Sequence, residues 1–233
     1  MPIPENKVQR IFPVRIALFV GCMVLTILVL NTIVQGVQTL SRLEVVERER
    51  DYWQRPSAIL ETLNITAGNV VVDLGSGSGY FSLKLSSIVG RRGQVLAVDI
   101  RRMPLFFLWV RALMHGMYNI KVIQGDVDHP HLPAGTADAV LVANTYHEIS
   151  NPRPILEDLF RSLRSGGRLV ILDRSPHSAN GQSDDLELQH HEIPAAVVEN
   201  EIRRTGFEVI SRQDRFIDRA GDQLWWLLVA RKP

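Results

Sequence analysis

Cysteine is all but missing: Cys22 is the one thiol in 233 residues. A single thiol excludes an intrachain disulfide framework and any multi-cysteine zinc site, and no metal site is expected elsewhere. A dominant charge is missing too, since 26 Lys and Arg are matched by 25 Asp and Glu for a net of +1. A surface that grips phosphate backbones normally leaves a positive bias, so nucleic acid is not an expected partner. There is no internal repeat and no low-complexity tract. The length suffices for one well-cored domain plus an appendage.

The appendage is a long apolar run at the front. RIALFVGCMVLTILVLNTIVQGV, Arg15 to Val37, has no charge after Arg15 and only Asn31 and Gln35 as strongly polar residues. Roughly 20 apolar residues in a helix cross a hydrocarbon core of about 30 Å. A cleaved signal peptide would want a shorter core and a small-x-small site, and neither is clear after Val34. A buried core helix is the bland alternative, but nothing else in the chain requires one so long. The expected layout is a flank over 1–15, a transmembrane helix over 16–37, a charged helical linker or lid over 38–56 and a domain over 57–233. Lys7, Arg10 and Arg15 precede the span, and Arg42, Arg48, Arg50 and Arg55 follow it. The positive-inside count is nearly balanced and does not set an orientation.

Behind the linker, short apolar runs alternate with helical patterns. NVVVDLG (Asn69–Gly75), GQVLAVDI (Gly93–Ile100), IKVIQGD, ADAVLVANT (Ala137–Thr145) and RLVILD read as buried strands. YFSLKLSSIVG has helical spacing with a stop at Gly90, and PILEDLFRSLRSGG reads as an amphipathic helix with a glycine C-cap. A helix over 194–205 closes at Gly206. FEVISRQDRF and QLWWLLVARK, joined by a turn around Ala220, Gly221 and Asp222, read as an antiparallel pair at one edge. The expectation is an α/β fold: a doubly wound, Rossmann-like, seven-stranded sheet, mostly parallel and covered on both faces.

VVDLGSGSGY places Asp73 at a strand end and glycines at 75, 77 and 79. Glycines there let the backbone turn tightly and approach a ligand. The dinucleotide fingerprint would need glycine where Tyr80 stands, so a nicotinamide oxidoreductase is disfavoured. Asp99 ends the second strand, where a carboxylate can accept both hydroxyls of a ribose. Asp126 follows the third, where it could face an adenine amino group. Three acids at successive strand ends share the crevice in which doubly wound sheets bind ligands. Asp73 would repel a phosphate but not a cationic nucleoside; the plainer alternative is that Asp73, Asp99 and Asp126 only form turns.

Over roughly residues 50–233 the chain resembles the small-molecule branch of the class I S-adenosylmethionine-dependent methyltransferases. RDYWQRP, VVDLGSGSGYFSLKLSSIVG, GQVLAVDI, NTYHEI, RSGGRLVILD and RRTGFEVI carry the likeness. The resemblance implies S-adenosylmethionine as cofactor, with Gly75, Ser76, Gly77 and Gly79 along its methionine and ribose. Asp99 and Ile100 would hold the ribose side, and Asp126 and Val127 the adenine. Asp73 would sit near the amino group, through water, and Asn144 would close the methionine side. The family often folds a lid before the first strand, where Arg50 and Trp53 lie.

In methyl transfer the protein mainly aligns nucleophile, methyl carbon and sulfur, and keeps water out. A base is needed only where the nucleophile arrives protonated. Tyr146, His147 and Glu148, beside the methyl group by the resemblance, are the candidates, and histidine is the residue type suited to proton transfer. A histidine opening a helix can equally pack or cap. Thr145 and Tyr146 stand where amino-methylating nucleic-acid enzymes carry two prolines, which argues against exocyclic base amines. His191 matches a histidine that many relatives carry before the helix leading to the sixth strand; a solvated loop is the other reading. His190, His191 and Glu192 are adjacent, and adjacent side chains rarely converge on one ion. His129 and His131 read as loop.

The expected function is a membrane-anchored methyltransferase acting on a small or lipophilic acceptor. The alternative is a non-catalytic cofactor-binding subunit tethered to a membrane partner. Because S-adenosylmethionine is kept in the cytosol, the single-pass chain is expected to place its domain on the cytoplasmic side. The helix MPLFFLWVRALMHG (Met103–Gly116) carries Arg111 as its one Arg, Lys, Asp or Glu. One face must cover the sheet. The other, over 104–114, is open to three partners: the lipid interface with Arg101, Arg102 and Arg111 near head groups, a second subunit in a homo-oligomer, or the chain's own N-terminal helix.

Overall fold

The protein is described by a computed structural model covering residues 8–175, 192–218 and 224–233. It divides into two units, Met1–Arg50 and Asp51–Pro233. In the first, a single helix α1 (Val8–Gln54) begins and runs on for 47 residues, about 70 Å at 1.5 Å per residue. The apolar stretch and the charged one after it are one continuous helix. From Leu40 to Gln54 the sequence holds no glycine or proline and many strong helix formers, so nothing interrupts it. From Ile16 the helix is long and apolar enough to cross a membrane, and that apolar stretch is unburied. Thr26, Thr32 and Thr39 donate their hydroxyls to the carbonyls of Cys22, Leu28 and Gln35. Their hydroxyls are thereby satisfied within the helix.

The second unit contains α2 (Pro56–Thr62), β1 (Val70–Leu74), α3 (Tyr80–Val89), β2 (Gln94–Asp99), α4 (Arg102–Met114), β3 (Ile120–Gln124) and β4 (Ala137–Ala143). A 3-10 turn (Tyr146–Glu148), α5 (Pro152–Ser162), β5 (Leu163–Arg174), α6 (Ala195–Thr205), β6 (Glu208–Ile217) and β7 (Trp225–Arg231) follow. The strands form one sheet in the order β3-β2-β1-β4-β5-β7-β6. β1 to β5 are parallel neighbours, and β7 lies antiparallel between β5 and β6. Two apolar layers cover the faces: one gathers Val72, Val140, Ile171 and Trp226, the other Val71, Leu141, Val170 and Leu227. The strand order reverses at β1, between β2 and β4. That switch point opens the ligand crevice at the carboxyl ends of these strands.

Two details differ from the sequence reading. The helix expected to end at a glycine cap stops at Ser162. Leu163 turns extended (ψ 144°), is fully buried and pairs with Ala137. The amides of Gly135 and Thr136 take the carbonyls of Arg161 and Ser162, so the loop before β4 caps the helix early. The turn around Ala220–Asp222 lies outside the described residues.

Candidate active site

The crevice is built first from the loop after β1. Gly75, Gly77 and Gly79 take positive φ of 76°, 52° and 97°. The amides of Gly75 and Ser76 both bond to the Val98 carbonyl, at 2.8 and 2.9 Å, which ties the loop to the end of β2. A Cβ on Gly79 would lie 2.3 Å from Leu108 Cδ1, so α4 presses directly on the loop. Around Gly77, by contrast, there is open space. Tyr80, the residue that spoils the dinucleotide fingerprint, is buried and donates its hydroxyl to Asp51 Oδ1 at 2.7 Å. Lys84 pairs with the same carboxylate at 2.8 Å, so α3 holds the segment just before α2.

The acids sit as the strand ends dictate. Asp99 is buried; its Oδ2 accepts from the Gly77 amide at 2.9 Å and its Oδ1 from the Arg101 amide at 2.9 Å. The Arg101 guanidinium also reaches Asp99 Oδ1 at 3.2 Å, and this bond raises the arginine above its ordinary pKa. Asp73 is buried and accepts from the Ser82 hydroxyl at 2.5 Å, inside the first turn of α3. Asp126 is exposed beyond β3, with Oδ2 2.8 Å from His131 Nε2. Ile100 and Val127, each following its acid, are exposed. His131, with φ 55°, is part of a loop as expected, and it is also the partner of Asp126.

Across the switch point, Asn144 follows β4 with φ 55°. Asparagine tolerates that left-handed conformation better than most residues. Its Oδ1 accepts from Arg174 Nε at 2.9 Å, and the Arg174 guanidinium stands 5.3 Å from the Trp225 ring centre. Trp53 packs on the same indole, ring centres 5.7 Å apart. His147 lies in the 3-10 turn with its side chain only 4% exposed. Its Nδ1 is 2.7 Å from Oδ1 of Asp173, a fully buried carboxylate at the end of β5. Asp173 Oδ2 also accepts the His147 amide at 3.1 Å, fixing both backbone and ring. Glu148 is half exposed, 3.9 Å from His147 Nε2.

Tyr146 points elsewhere. It is buried, its hydroxyl donates to Glu201 Oε2 of α6 at 2.6 Å, and burial raises its pKa further above the ordinary phenol value. A phenol kept neutral and turned to α6 braces the turn that carries His147. Tyr146→Phe is expected to cost about 1.5–3 kcal/mol, the range for a hydrogen bond to a charged group, as read by thermal or denaturant unfolding. Turnover should stay near that of the parent protein.

Sequence reasoning passed over two residues and misplaced a third. Asp173 ends a strand just as Asp73 and Asp99 do, and that shared position was the available signal. Arg174 follows it. Arg111, expected at lipid head groups, is only 4% exposed and donates Nη1 to the Ser78 carbonyl at 2.6 Å. It belongs to the glycine loop because α4 turns Arg111 inward while Arg102, at its first position, stays exposed. Arg111→Met is expected to weaken cofactor binding about tenfold, the scale of one lost charge-assisted hydrogen bond, measurable by calorimetric titration. His191 lies outside the described residues.

Ser76 Oγ is buried without a hydrogen-bond partner among the described residues. An orphan hydroxyl, open space at Gly77 and a carboxylate at Asp99 fit a ligand rich in hydroxyls and amines. The family profile described as "Methyltransferase domain" matches residues 65–215. The chain belongs to the class I S-adenosylmethionine-dependent methyltransferases.

Among its relatives is the ubiquinone/menaquinone biosynthesis C-methyltransferase UbiE of Marinomonas sp., 29% identical over 53% of this chain and 49% of the relative. The protein of the same description from Pseudomonas putida is 32% identical over 53% and 48%. The match therefore spans about half the length of these relatives. A solved S-adenosylmethionine-dependent methyltransferase from Aquifex aeolicus superposes with TM-score 0.64 at 24% identity, covering 75% of this chain and 88% of that one. The Haemonchus contortus phosphoethanolamine N-methyltransferase 2 gives 0.64 at 17%, covering 78% and 53%. Both likenesses are of fold, and they set this methyltransferase's seven-stranded sheet beside theirs.

Proposed function

We propose that the protein is a membrane-anchored methyltransferase whose acceptor is a lipophilic small molecule, a quinol-like ring lacking a methyl group. The observation that carries this reading is the His147–Asp173 pair at the strand ends across the switch point from the glycine loop. S-adenosylmethionine, when bound, supplies an electrophilic methyl group on a sulfonium. Asp99 and the Gly75–Gly79 loop would hold its ribose and methionine parts, with the Ser76 hydroxyl as a further donor. Asp73, Asn144, Ile100, Asp126 and Val127 would complete the surround.

The residues' own chemistry is proton handling. With Asp173 accepting from Nδ1, the imidazole keeps its proton there and leaves Nε2 as the acceptor. A phenolic ring attacks through carbon once its hydroxyl proton is removed, and Nε2 is the group that would take it. The relatives named for quinone biosynthesis transfer methyl to carbon, which supports a ring acceptor. Residues 16–37 would hold the chain in a bilayer, single-pass, with the domain on the cytoplasmic side where S-adenosylmethionine is made.

The test incubates purified full-length protein with methyl-labelled S-adenosylmethionine and quinols lacking one ring methyl. Label appearing in the ring is the expected result. Cofactor binding with no transfer to any quinol or to fractionated lipid extract would instead make the chain a binding subunit. A reporter fused after Pro233 that registers only on the non-cytoplasmic side would reverse the topology.

A further inference from the structure

α4 is inverted: its buried side holds Arg111 and its exposed side is mostly greasy. Leu105, Leu108, Arg111 and Ala112 are buried, whereas Met103, Phe106, Trp109, Leu113 and Met114 are 62, 52, 51, 43 and 70% exposed. At 100° per residue the exposed set, with the half-buried Val110 between its members, sweeps roughly 140° of the circumference along about 17 Å of helix. Arg102 is the one charge in that arc. Phe106 and Trp109 lie side by side, ring centres 6.1 Å apart. A surface helix of a soluble domain turns polar residues outward, and a contiguous exposed apolar patch marks an interaction surface.

We infer that this face of α4 lies in the surface of a bilayer containing anionic phospholipid, next to the mouth of the cofactor crevice. The inference rests on the membrane-anchor reading above and extends it to the second unit. Charge selects lipid as the occupant. From Ile100 to Tyr118 there is no acidic residue, and the exposed Arg101 and Arg102 open the helix. Asp99 and, through Arg101, Glu148 are the acids next to the helix start, and Asp126 and Asp128 follow β3. Asp99 is buried against Arg101, Asp126 is paired with His131 and Glu148 acts on Arg101, while the apolar arc itself contains no acid.

Composition selects lipid too. Tryptophan at the edge of an apolar face favours the headgroup level, and basic residues beside it favour anionic lipid. A 13-residue helix is too short to span, so it lies flat. Position supplies the reason for the contact. Ile100, 52% exposed, follows Asp99 directly, and α4 begins two residues later, so the apolar face starts close to the crevice rim. An acceptor dissolved in the membrane would reach the methyl group without crossing water.

The experiment uses the full chain carrying Cys22→Ala and one introduced label site at a time: Phe106→Cys, Trp109→Cys or, as the reference on the same domain, Ser165→Cys. Each is spin-labelled in vesicles of phosphatidylcholine with phosphatidylglycerol, and its accessibility to oxygen is compared with that to a water-soluble nickel chelate. Labels at 106 and 109 should favour oxygen severalfold over the label at 165, and less so when phosphatidylglycerol is left out. Water-like accessibility at both positions in a chain that resists alkaline extraction would overturn the docking and leave the anchor intact. Protection from both reagents with dipolar broadening would assign the face to a second copy. A chain that washes off the vesicles loses both the anchor and the docking.

Discussion

Asp173→Asn is expected to lower the rate of methyl transfer by about 10²- to 10⁴-fold, the usual weight of a general base, with the cofactor's Kd changed little. The carboxylate is fully buried and accepts from His147 Nδ1, from the His147 amide and from the Arg174 amide. Three donors on two oxygens suit an ionised group. An amide has one oxygen and an NH₂ that would point at one of those donors. The imidazole escapes by moving its proton to Nε2, and the acceptor nitrogen is lost. His147→Ala should cost a similar factor, and the double variant little more, because the two act as one unit. Single-turnover transfer of labelled methyl measures the effect, and an unchanged melting temperature for Asp173→Asn separates it from unfolding. Full turnover in His147→Ala would leave positioning as the whole of the mechanism.

The strands of this protein were readable because a parallel sheet covered on both faces needs runs such as VVVDL and VLAVD, buried nearly throughout. The place of β7 between β5 and β6 was also written in the chain, as a contrast. WWLLVA is apolar on both faces and so is interior, whereas β6 mixes exposed polar residues along its length and so lies at the edge. The end of α5 was not readable. RSLRSGG continues a helical pattern, and only amides distant in sequence, Gly135 and Thr136, stop it. The site divides the same way. Strand-end acids follow from topology, so Asp73 and Asp99 could be placed from the sequence. Arg111 could not, since its burial depends on a carbonyl at Ser78 that no local pattern reveals. The pairing of Asp126 with His131 depends on a left-handed backbone at a histidine, which has no sequence signature.

Gly75→Ala is expected to weaken S-adenosylmethionine binding by about a hundredfold or more. Two separable costs add. A left-handed φ of 76° carries a penalty of about 1–2 kcal/mol for any residue with a Cβ. The new methyl would also stand 2.1 Å from Thr145 Oγ1 and 2.3 Å from its Cγ2, so one side of the crevice must move. Thr145 immediately precedes the turn bearing His147, and a loop forced off it would misplace the acceptor nitrogen as well as the cofactor. Turnover at saturating cofactor should therefore fall together with affinity. Adding Thr145→Gly to Gly75→Ala removes the side chain in the way and should restore all but the backbone share, a residual loss of roughly tenfold. Gly77→Ala provides the contrast: its φ is 52° and nothing lies within 4 Å of the added carbon. On the protein alone it should cost only the backbone penalty. A loss of cofactor affinity well beyond tenfold there, with thermal stability unchanged, would mean that the open space at Gly77 is filled by the cofactor itself.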